Sequence, residues 1–414
     1  MKIFPNPSRP SWLPDLDHRV WILAIGRLLS QMGSGFTLFY ASIFFVNQVG
    51  LSATAVGVGL GSTAVSGIVG RLLAGVMIDS PRWGRRWTLI WALFVLAIAA
   101  TILAITNNFP LFLAGNLLIG LGTGLYWPAN ETSVADLTTP EQRNEGYALT
   151  RLADTVGLGV GVMLGGLLIS TTGAFRALFV IDAVSFLVFL GVVYVAIPET
   201  ADFSQRPPSM WSGWVIGLRD RALLLFLLVN ILFTTYIVQV QATLPLYLSN
   251  FVQGSASGKG FTSDTISILF SWHIFLGMVF QFPIVRWLRQ WTRPGILLGS
   301  ACLWSMGFVL TWVTGVTPRL ALLSAVITLA VLGMAIVLYT PAASAYVVEL
   351  APDGLRGVYL SLNSLCWAIG FLIGPPLGGL AMDQPSPWAD YFWLALATTT
   401  IPVILVLHWL DRTT

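Results

Sequence analysis

Hydrophobic residues dominate the chain in about twelve long stretches, which short polar segments separate. A helix needs roughly 20 apolar residues to cross a hydrocarbon core of about 30 Å, and each stretch is long enough. The pattern therefore predicts twelve membrane-spanning helices. The predicted spans are 20–46, 54–78, 87–106, 110–135, 145–170, 175–197, 221–249, 264–285, 294–314, 319–348, 357–381 and 389–410.

The longest polar break divides these spans into two groups of six. It covers 199–220 and contains charged, Pro and Ser residues. We therefore predict an amino-terminal six-helix half over 1–198, a cytoplasmic linker loop over 199–220, and a carboxy-terminal six-helix half over 221–414.

The distribution of Lys and Arg predicts the orientation of the spans. Fifteen of these residues fall on the side that carries both chain ends, against three on the other side, Arg176, Lys259 and Arg319. Positive residues collect in cytoplasmic loops, so both termini are expected in the cytoplasm. The polar segment before the first span lacks the apolar core and cleavage site of a secretory signal, so the first stretch is kept as a span.

Composition supports an integral membrane protein and excludes other classes. Of the 414 residues, 56% are hydrophobic and only 9% are charged, whereas soluble domains carry about 25% charged residues. Lys and Arg form no basic block with interleaved aromatics, so no nucleic-acid partner is expected. Cys302 and Cys366 both lie in apolar stretches and indicate neither a disulfide nor a compartment.

Sequence signatures of catalysis are missing. The chain has no G-x-x-x-x-G-K-[ST] motif for ATP, no Cys or His pair with metal-ligand spacing, and no nucleophile with a matching base. We therefore expect no enzyme activity, no cofactor and no metal.

The two halves are related by an internal repeat. An offset of 213 residues places Tyr126 on Tyr339, Pro128 on Pro341, Asp136 on Glu349, Arg143 on Arg356, and the glycines of the fifth span on those of the eleventh. Repeats in the same orientation, related by an axis along the membrane normal, are the architecture of one large class of transporters.

The loop between the second and third spans carries a family resemblance. Together with the end of the second span it contains Gly70, Asp79, Arg82, Gly84 and the pair Arg85 and Arg86. This segment resembles the G-x-x-x-D-R-x-G-R-R signature of the major facilitator superfamily, with two residues inserted after Asp79. The fifth span, with Gly157, Gly161, Gly165 and Gly166, resembles the antiporter motif G-x-x-x-G-P-x-x-G-G, although Val162 replaces the proline. The eleventh span has the fuller version, from Gly370 to Gly379.

This resemblance implies the fold and an expected function. The fold is an all-α membrane protein of the major facilitator type, with twelve transmembrane helices in two pseudo-symmetric halves. The resembled branch, the 12-span drug:proton antiporters, implies alternating access and proton-coupled efflux of small amphipathic or drug-like molecules from a prokaryotic inner membrane. The alternative is a carrier for a specific sugar, organic acid or amino acid derivative, possibly a uniporter. The expected partners are the lipid bilayer, a small-molecule substrate and protons, and the expected state is a monomer.

Acidic and basic residues at the cytoplasmic span ends form the predicted cytoplasmic latch. An acid and several guanidinium groups can form charge-assisted hydrogen bonds that hold the two halves together on the inner side. Arginines there can also serve only to fix topology. The predicted latch comprises Asp79, Arg85, Arg86, Asp136, Arg143, Glu349 and Arg356.

Charged residues inside the spans are the candidates for coupling or substrate binding, because each costs about 2.5 to 3.5 kcal/mol at a helix centre. Arg27, Arg151 and Asp154 are expected to cluster near the cavity. They could form a static pair, an anion site or a proton-coupling site. Glu131 could be a cavity acid for a cationic solute or part of the latch. Asp182 is expected to pair with Arg176.

Polar and aromatic residues in the spans are candidates for the cavity wall. The seventh span holds too many polar groups for a lipid-facing helix. In the resembled family the first, fourth, seventh and tenth helices surround the cavity, and the eleventh can join them. The predicted wall residues are Gln31, Tyr126, Trp127, Asn130, Tyr236, Gln239, Tyr339, Asn363 and Trp367.

Overall fold

The computed structural model of the protein describes residues 16–78, 80–139, 142–199, 215–253, 260–352 and 355–413. Twelve helices in these ranges are long and apolar enough to cross a membrane, which confirms the predicted count. They are α1 (His18–Asn47), α2 (Ala53–Ile78), α3 (Gly84–Ile105), α4 (Phe109–Asp136), α5 (Arg143–Thr172), α6 (Phe175–Ala196), α7 (Arg221–Asn250), α8 (Ser263–Trp287), α9 (Arg293–Val316), α10 (Ala321–Leu350), α11 (Arg356–Met382) and α12 (Trp388–Thr413).

The predicted repeat is visible in the helix boundaries. Helix α5 begins at Arg143 and α11 begins at Arg356, which is the offset of 213 residues seen in the sequence. Helices α4 and α10 each contain an internal proline at the equivalent position, Pro128 and Pro341. The two six-helix halves are therefore built on one pattern.

Helix α7 is interrupted by a π-helical turn over Gln239–Thr243. Pro245 follows this turn and has no amide hydrogen, so the carbonyl group of Gln241 cannot receive the usual bond from four residues ahead. A local widening to a π turn is one way to absorb such a defect, and these turns often occur at functional sites.

The halves contact each other through glycines on two helix pairs, α2 with α11 and α5 with α8. A Cβ atom on Gly57 would lie 2.1 Å from the carbonyl oxygen of Pro375, and one on Gly166 would lie 2.2 Å from the side chain of Ser267. Only glycine permits such close packing. These contacts lie towards the face of the bundle away from the chain termini, here called the distal face; the other is the terminal face.

Large apolar side chains cover the outside of the bundle. Leu72, Val76 and Val195 are 69%, 73% and 85% exposed. A soluble monomer rarely exposes extended apolar patches, so this surface is suited to contact with lipid chains.

Candidate functional site

A cavity of about 210 Å³ lies between the halves. Most of its wall comes from α1, α2, α3, α4 and α6, and the π turn of α7 contributes Gln241 and Ala242. Helix α11 contributes Phe371 and Pro375. The wall combines aromatic rings with a few hydroxyl and amide groups, which is the usual composition of a small-molecule site.

An ion pair between α1 and α5 lies beside this cavity. The Nε atom of Arg27 donates to Oδ1 of Asp154 at 2.8 Å, and a second hydrogen bond joins Nη2 to Oδ2. Both residues are buried, with exposed fractions of 1% and 8%. The bidentate geometry satisfies both carboxylate oxygens, which a buried charge requires.

The glycine run of α5 makes this pair possible. A Cβ atom on Gly157 would lie 2.5 Å from the carbonyl oxygen of Leu28, and one on Gly161 would lie 2.2 Å from that of Met32. The backbones of α1 and α5 can therefore approach closely. This approach brings Asp154, one turn before the glycines, against Arg27.

Trp127 connects the ion pair to the cavity. It is one of the residues that line the cavity, and the guanidinium carbon of Arg27 lies 4.6 Å from the centroid of its ring, within the range of a cation–π interaction. A molecule in the cavity can therefore touch the ring that also contacts Arg27.

Arg151, predicted to cluster with Arg27 and Asp154, has Glu131 as its ion-pair partner. Its Nη2 atom lies 3.6 Å from Oε1 of Glu131, and the two side chains are 70% and 46% exposed. Its guanidinium group lies 5.9 Å from the centroid of Trp127. The structure thus brings Arg27 and Asp154 together as expected, but it joins Arg151 to Glu131 rather than to Asp154.

Three of the predicted wall residues line the cavity, namely Gln31, Tyr126 and Trp127. Asn130 is fully buried instead, where its Nδ2 atom donates to the hydroxyl oxygen of Tyr126 at 2.9 Å. It therefore supports the wall from behind.

The predicted wall residues of the carboxy-terminal half lie outside the lining of this cavity. Two of them, Tyr339 and Asn363, bond to Asn230 of α7, because buried polar groups in a low dielectric need hydrogen-bond partners. Tyr339 donates to Oδ1 of Asn230 at 2.5 Å, and Asn230 donates to Oδ1 of Asn363 at 2.7 Å.

Two further members of this predicted set bond to other helices. The hydroxyl group of Tyr236 bonds to Thr399 at 2.7 Å, and Gln239 donates to the carbonyl oxygen of Gly374 at 2.8 Å. Trp367 is half-buried against the hydrophobic core. Among the polar residues of α7, Gln241 is the one that lines the cavity.

The predicted cytoplasmic latch makes its described contacts within the amino-terminal half. Nε of Arg85 lies 2.7 Å from Oδ2 of Asp136, which joins α3 to α4. Nη2 of Arg86 donates to the carbonyl oxygen of Tyr194 on α6 at 2.6 Å. These contacts tie helices of one half together, so a link between the halves through them stays a prediction. Glu349 is exposed at the end of α10, whereas Asp79 and the side chains of Arg143 and Arg356 lie outside the described residues.

An acid that the sequence analysis did not select completes this region. The carboxylate of Glu199 accepts hydrogen bonds from the backbone amides of Arg85 at 3.0 Å and Arg86 at 3.2 Å. It therefore caps the positive end of α3. Gly84 has a φ of +65°, and a Cβ atom there would lie 2.3 Å from this carboxylate, which explains the glycine of the loop signature.

The predicted pair of Asp182 with Arg176 is wrong. The guanidinium group of Arg176 donates to the carbonyl oxygens of Ala104 at 2.6 Å and Thr106 at 3.2 Å. Six residues at about 100° each place the two side chains about 120° apart around α6. Asp182 faces α1 and lines the cavity instead.

Comparison with known families agrees with this architecture. The model of the Major Facilitator Superfamily matches residues 23–258 and 249–414, and the chain belongs to this superfamily. It is a multi-pass membrane transporter and not an enzyme.

Relatives and solved structures of similar length cover nearly the whole chain. A multidrug resistance protein MdtH of Aeromonas hydrophila is 24% identical over 392 residues, 94% of each chain. The MdtH protein of Shigella boydii is 26% identical over 397 residues, which are 94% of this chain and 93% of that protein. The nucleoside transporter NupG has a TM-score of 0.81 at 14% identity, covering 95% of this chain and 99% of NupG. The peptide transporter POT has a TM-score of 0.77 at 15% identity, covering 98% and 96%.

Proposed function

We propose that this protein exports small amphipathic molecules by alternating access and that inward movement of protons drives the export. The names of the MdtH relatives support export of drug-like molecules. The observation that carries proton coupling is the buried pair of Arg27 and Asp154, which contacts the cavity residue Trp127.

Protonation of Asp154 gives the pair two states of different energy. The carboxylate neutralises Arg27 when it is ionised. A neutral Asp154 leaves a buried guanidinium group without a counter-charge, which is strongly unfavourable. The contact between α1 and α5 would then favour a different arrangement, so proton uptake shifts the equilibrium between conformations.

The cavity connects this switch to the substrate through one aromatic ring. Trp127 lines the cavity and also contacts the Arg27 guanidinium group. A bound solute that contacts this ring changes its cation–π interaction with Arg27 and so alters the environment of the Arg27 and Asp154 pair. Substrate occupancy and protonation are thereby coupled.

We place the terminal face in the cytoplasm and the protein in a prokaryotic inner membrane as a monomer. The fifteen basic residues on that side support the orientation. With this orientation, the packed distal face is the periplasmic one, and the described conformation keeps the halves in contact there.

The alternative is a uniporter that binds an anionic metabolite through Arg27 or Arg151. Arg27 already gives two hydrogen bonds to Asp154, which disfavours it as an anion site. Arg151 is 70% exposed and bound to Glu131, so the coupled exporter is the stronger proposal.

Solute-driven proton movement tests the proposed function. The purified protein is placed in liposomes that contain a pH-sensitive dye, a proton gradient is imposed, and lipophilic cations, neutral drugs and small organic anions are added in turn. We expect lipophilic cations or neutral drugs to collapse the gradient only when the protein is present. Solute flux without proton movement, or flux of anions alone, would refute the proposal.

A further inference from the structure

Asp182 is a buried acid that the proposed coupling step does not use. It lies on α6, is 3% exposed and lines the cavity. Its Oδ1 atom is buried without a hydrogen-bond partner, and the described part of the chain shows no ion pair to its carboxylate. Desolvation makes a lone buried carboxylate costly, so this acid lacks the counter-charge that would stabilise it as an anion.

The fold makes room for this carboxyl group. A Cβ atom on Gly33 of α1 would lie 1.9 Å from Oδ1 of Asp182 and 2.8 Å from its Cγ atom. The missing side chain of Gly33 therefore leaves a recess in which the carboxyl group sits against α1. The recess holds the acid at the cavity wall rather than in the lipid.

The surroundings of Asp182 favour a cation with an apolar body. Asp182 is the only Asp, Glu, Lys or Arg in the cavity lining of the described chain. Phe179 and Phe186, about one turn away on the same helix, also line the cavity, together with Trp127 and Tyr126 of α4. Aromatic faces attract cations and pack against apolar groups, so the wall combines one acid, which a cation beside it would stabilise as a carboxylate, with rings that accept an organic body.

We propose that Asp182 binds the cationic nitrogen of a lipophilic amine inside the cavity. This inference rests on the proposed function, because it names the class of solute that the exporter carries. It also assigns separate tasks to the two buried acids. Asp154, paired with Arg27, responds to protons, whereas Asp182, unpaired in the cavity, binds the charge of the substrate.

Equilibrium binding to the full chain in lipid nanodiscs tests this assignment. The probes are 1-aminoadamantane, which is a cation at neutral pH, and 1-adamantanol, a neutral molecule of the same shape. Calorimetric titrations without a proton gradient compare the wild type with Asp182→Asn and Asp182→Glu. Asp264→Asn is the control, because Asp264 is an exposed acid in the first turn of α8.

We expect Asp182→Asn to weaken binding of 1-aminoadamantane about tenfold or more, as loss of a buried charge partner does. Asp182→Glu should retain most of the affinity. Binding of 1-adamantanol and the thermal midpoint of unfolding should change little, and Asp264→Asn should behave as the wild type.

Three results would overturn the proposal. They are no binding of the cation by the wild type, unchanged cation binding in Asp182→Asn, or an equal loss for both probes, which would indicate a purely structural residue. Proton movement in liposomes distinguishes this failure from failure of the proposed function. If the protein moves protons but binds the cation equally well without Asp182, only the proposed binding site is rejected. If cation binding depends on Asp182 but no protons move, only the proposed proton coupling is rejected.

Discussion

Asp383 of the carboxy-terminal half accepts a hydrogen bond from the backbone amide of Ala53 of the amino-terminal half, at 2.8 Å. The other carboxylate oxygen accepts from the amide of Thr54, also at 2.8 Å. These amides are the unsatisfied first donors of α2, where a negative charge is most stabilising. A side chain from one half thus caps a helix of the other on the distal face.

Loss of this cap should open the distal face. Asp383→Ala removes both hydrogen bonds, and a lost cap costs about 1 kcal/mol. We expect the equilibrium to move about fivefold towards the conformation that is open on the distal face. Asn47 and Asn250 exchange two side-chain hydrogen bonds on the same face at 2.8 Å each, so a disulfide between Asn47→Cys and Asn250→Cys reports its closure.

The disulfide should form more slowly in the Asp383→Ala variant, in a background without Cys302 and Cys366. Asp411→Asn is a suitable control, because Asp411 accepts its hydrogen bond from Thr292 within the carboxy-terminal half. Equal disulfide rates with and without Asp383 would show that the cap does not hold the halves together.

Contact between the halves should also depend on Gly57. The added methyl group in Gly57→Ala would lie 2.1 Å from the carbonyl oxygen of Pro375, and such overpacking costs about 1 to 3 kcal/mol. We expect a shift towards the open distal face, measured by the same disulfide. Gly75→Ala on the same helix is the matched control, since a Cβ atom there meets nothing within 4 Å. Identical behaviour of the two variants would contradict the close packing of α2 on α11.

Breaking the Arg27 and Asp154 pair should destabilise the protein strongly. Asp154→Ala leaves a buried guanidinium group unpaired, which typically costs about 3 to 5 kcal/mol. The thermal midpoint of unfolding in detergent should fall clearly. The double variant Arg27→Met with Asp154→Leu should recover much of the loss, because no charge stays buried.

The exposed pair of Arg151 and Glu131 gives the matched comparison. Its side chains are 70% and 46% exposed, and exposed ion pairs contribute about 0 to 1 kcal/mol. Arg151→Met should therefore change the midpoint little. If Arg151→Met lowered the midpoint more than Asp154→Ala, the Arg27 and Asp154 pair would not be the more important of the two for stability, contrary to our expectation.

Gly84 should be required for the cap on α3. Gly84→Ala places a methyl group where the Glu199 carboxylate lies and forces a non-glycine residue to a φ of +65°. Both effects weaken the cap, and we expect the free energy of unfolding to fall by about 1 to 2 kcal/mol. Glu199→Gln keeps the shape and one acceptor oxygen but removes the charge and the second acceptor, and it should lower the free energy of unfolding by less. A Gly84→Ala variant that unfolds at the wild-type temperature would exclude this account of the loop signature.

The sequence predicted the spans and the repeat because both depend on local properties. Twenty apolar residues indicate a membrane helix wherever the helix sits, and Pro128 and Pro341 reveal the repeat by spacing alone. The contact between Arg27 and Asp154 could also be predicted from the sequence, because each charge is costly in lipid and the expected fold makes α1 and α5 neighbours.

Side-chain partners were harder to predict because they depend on how each helix is rotated. Tyr339 is a predicted wall residue, but α7 and α10 are rotated so that its hydroxyl group bonds to Asn230. The predicted pair of Asp182 with Arg176 relied on their proximity along one helix, but the two side chains point in different directions around α6. Glu199 was missed because its partners are backbone amides, which carry no signature in the sequence.

The most direct test of the central claim is proton movement in liposomes containing the Asp154→Asn variant. The same assay is run on the wild type and on Asp264→Asn, with binding of the exported solute measured in parallel. Our account predicts that Asp154→Asn still binds the solute but no longer moves protons when the solute is added, while Asp264→Asn does both. Undiminished proton movement by a well-folded Asp154→Asn variant would contradict the assignment of Asp154 as the coupling acid.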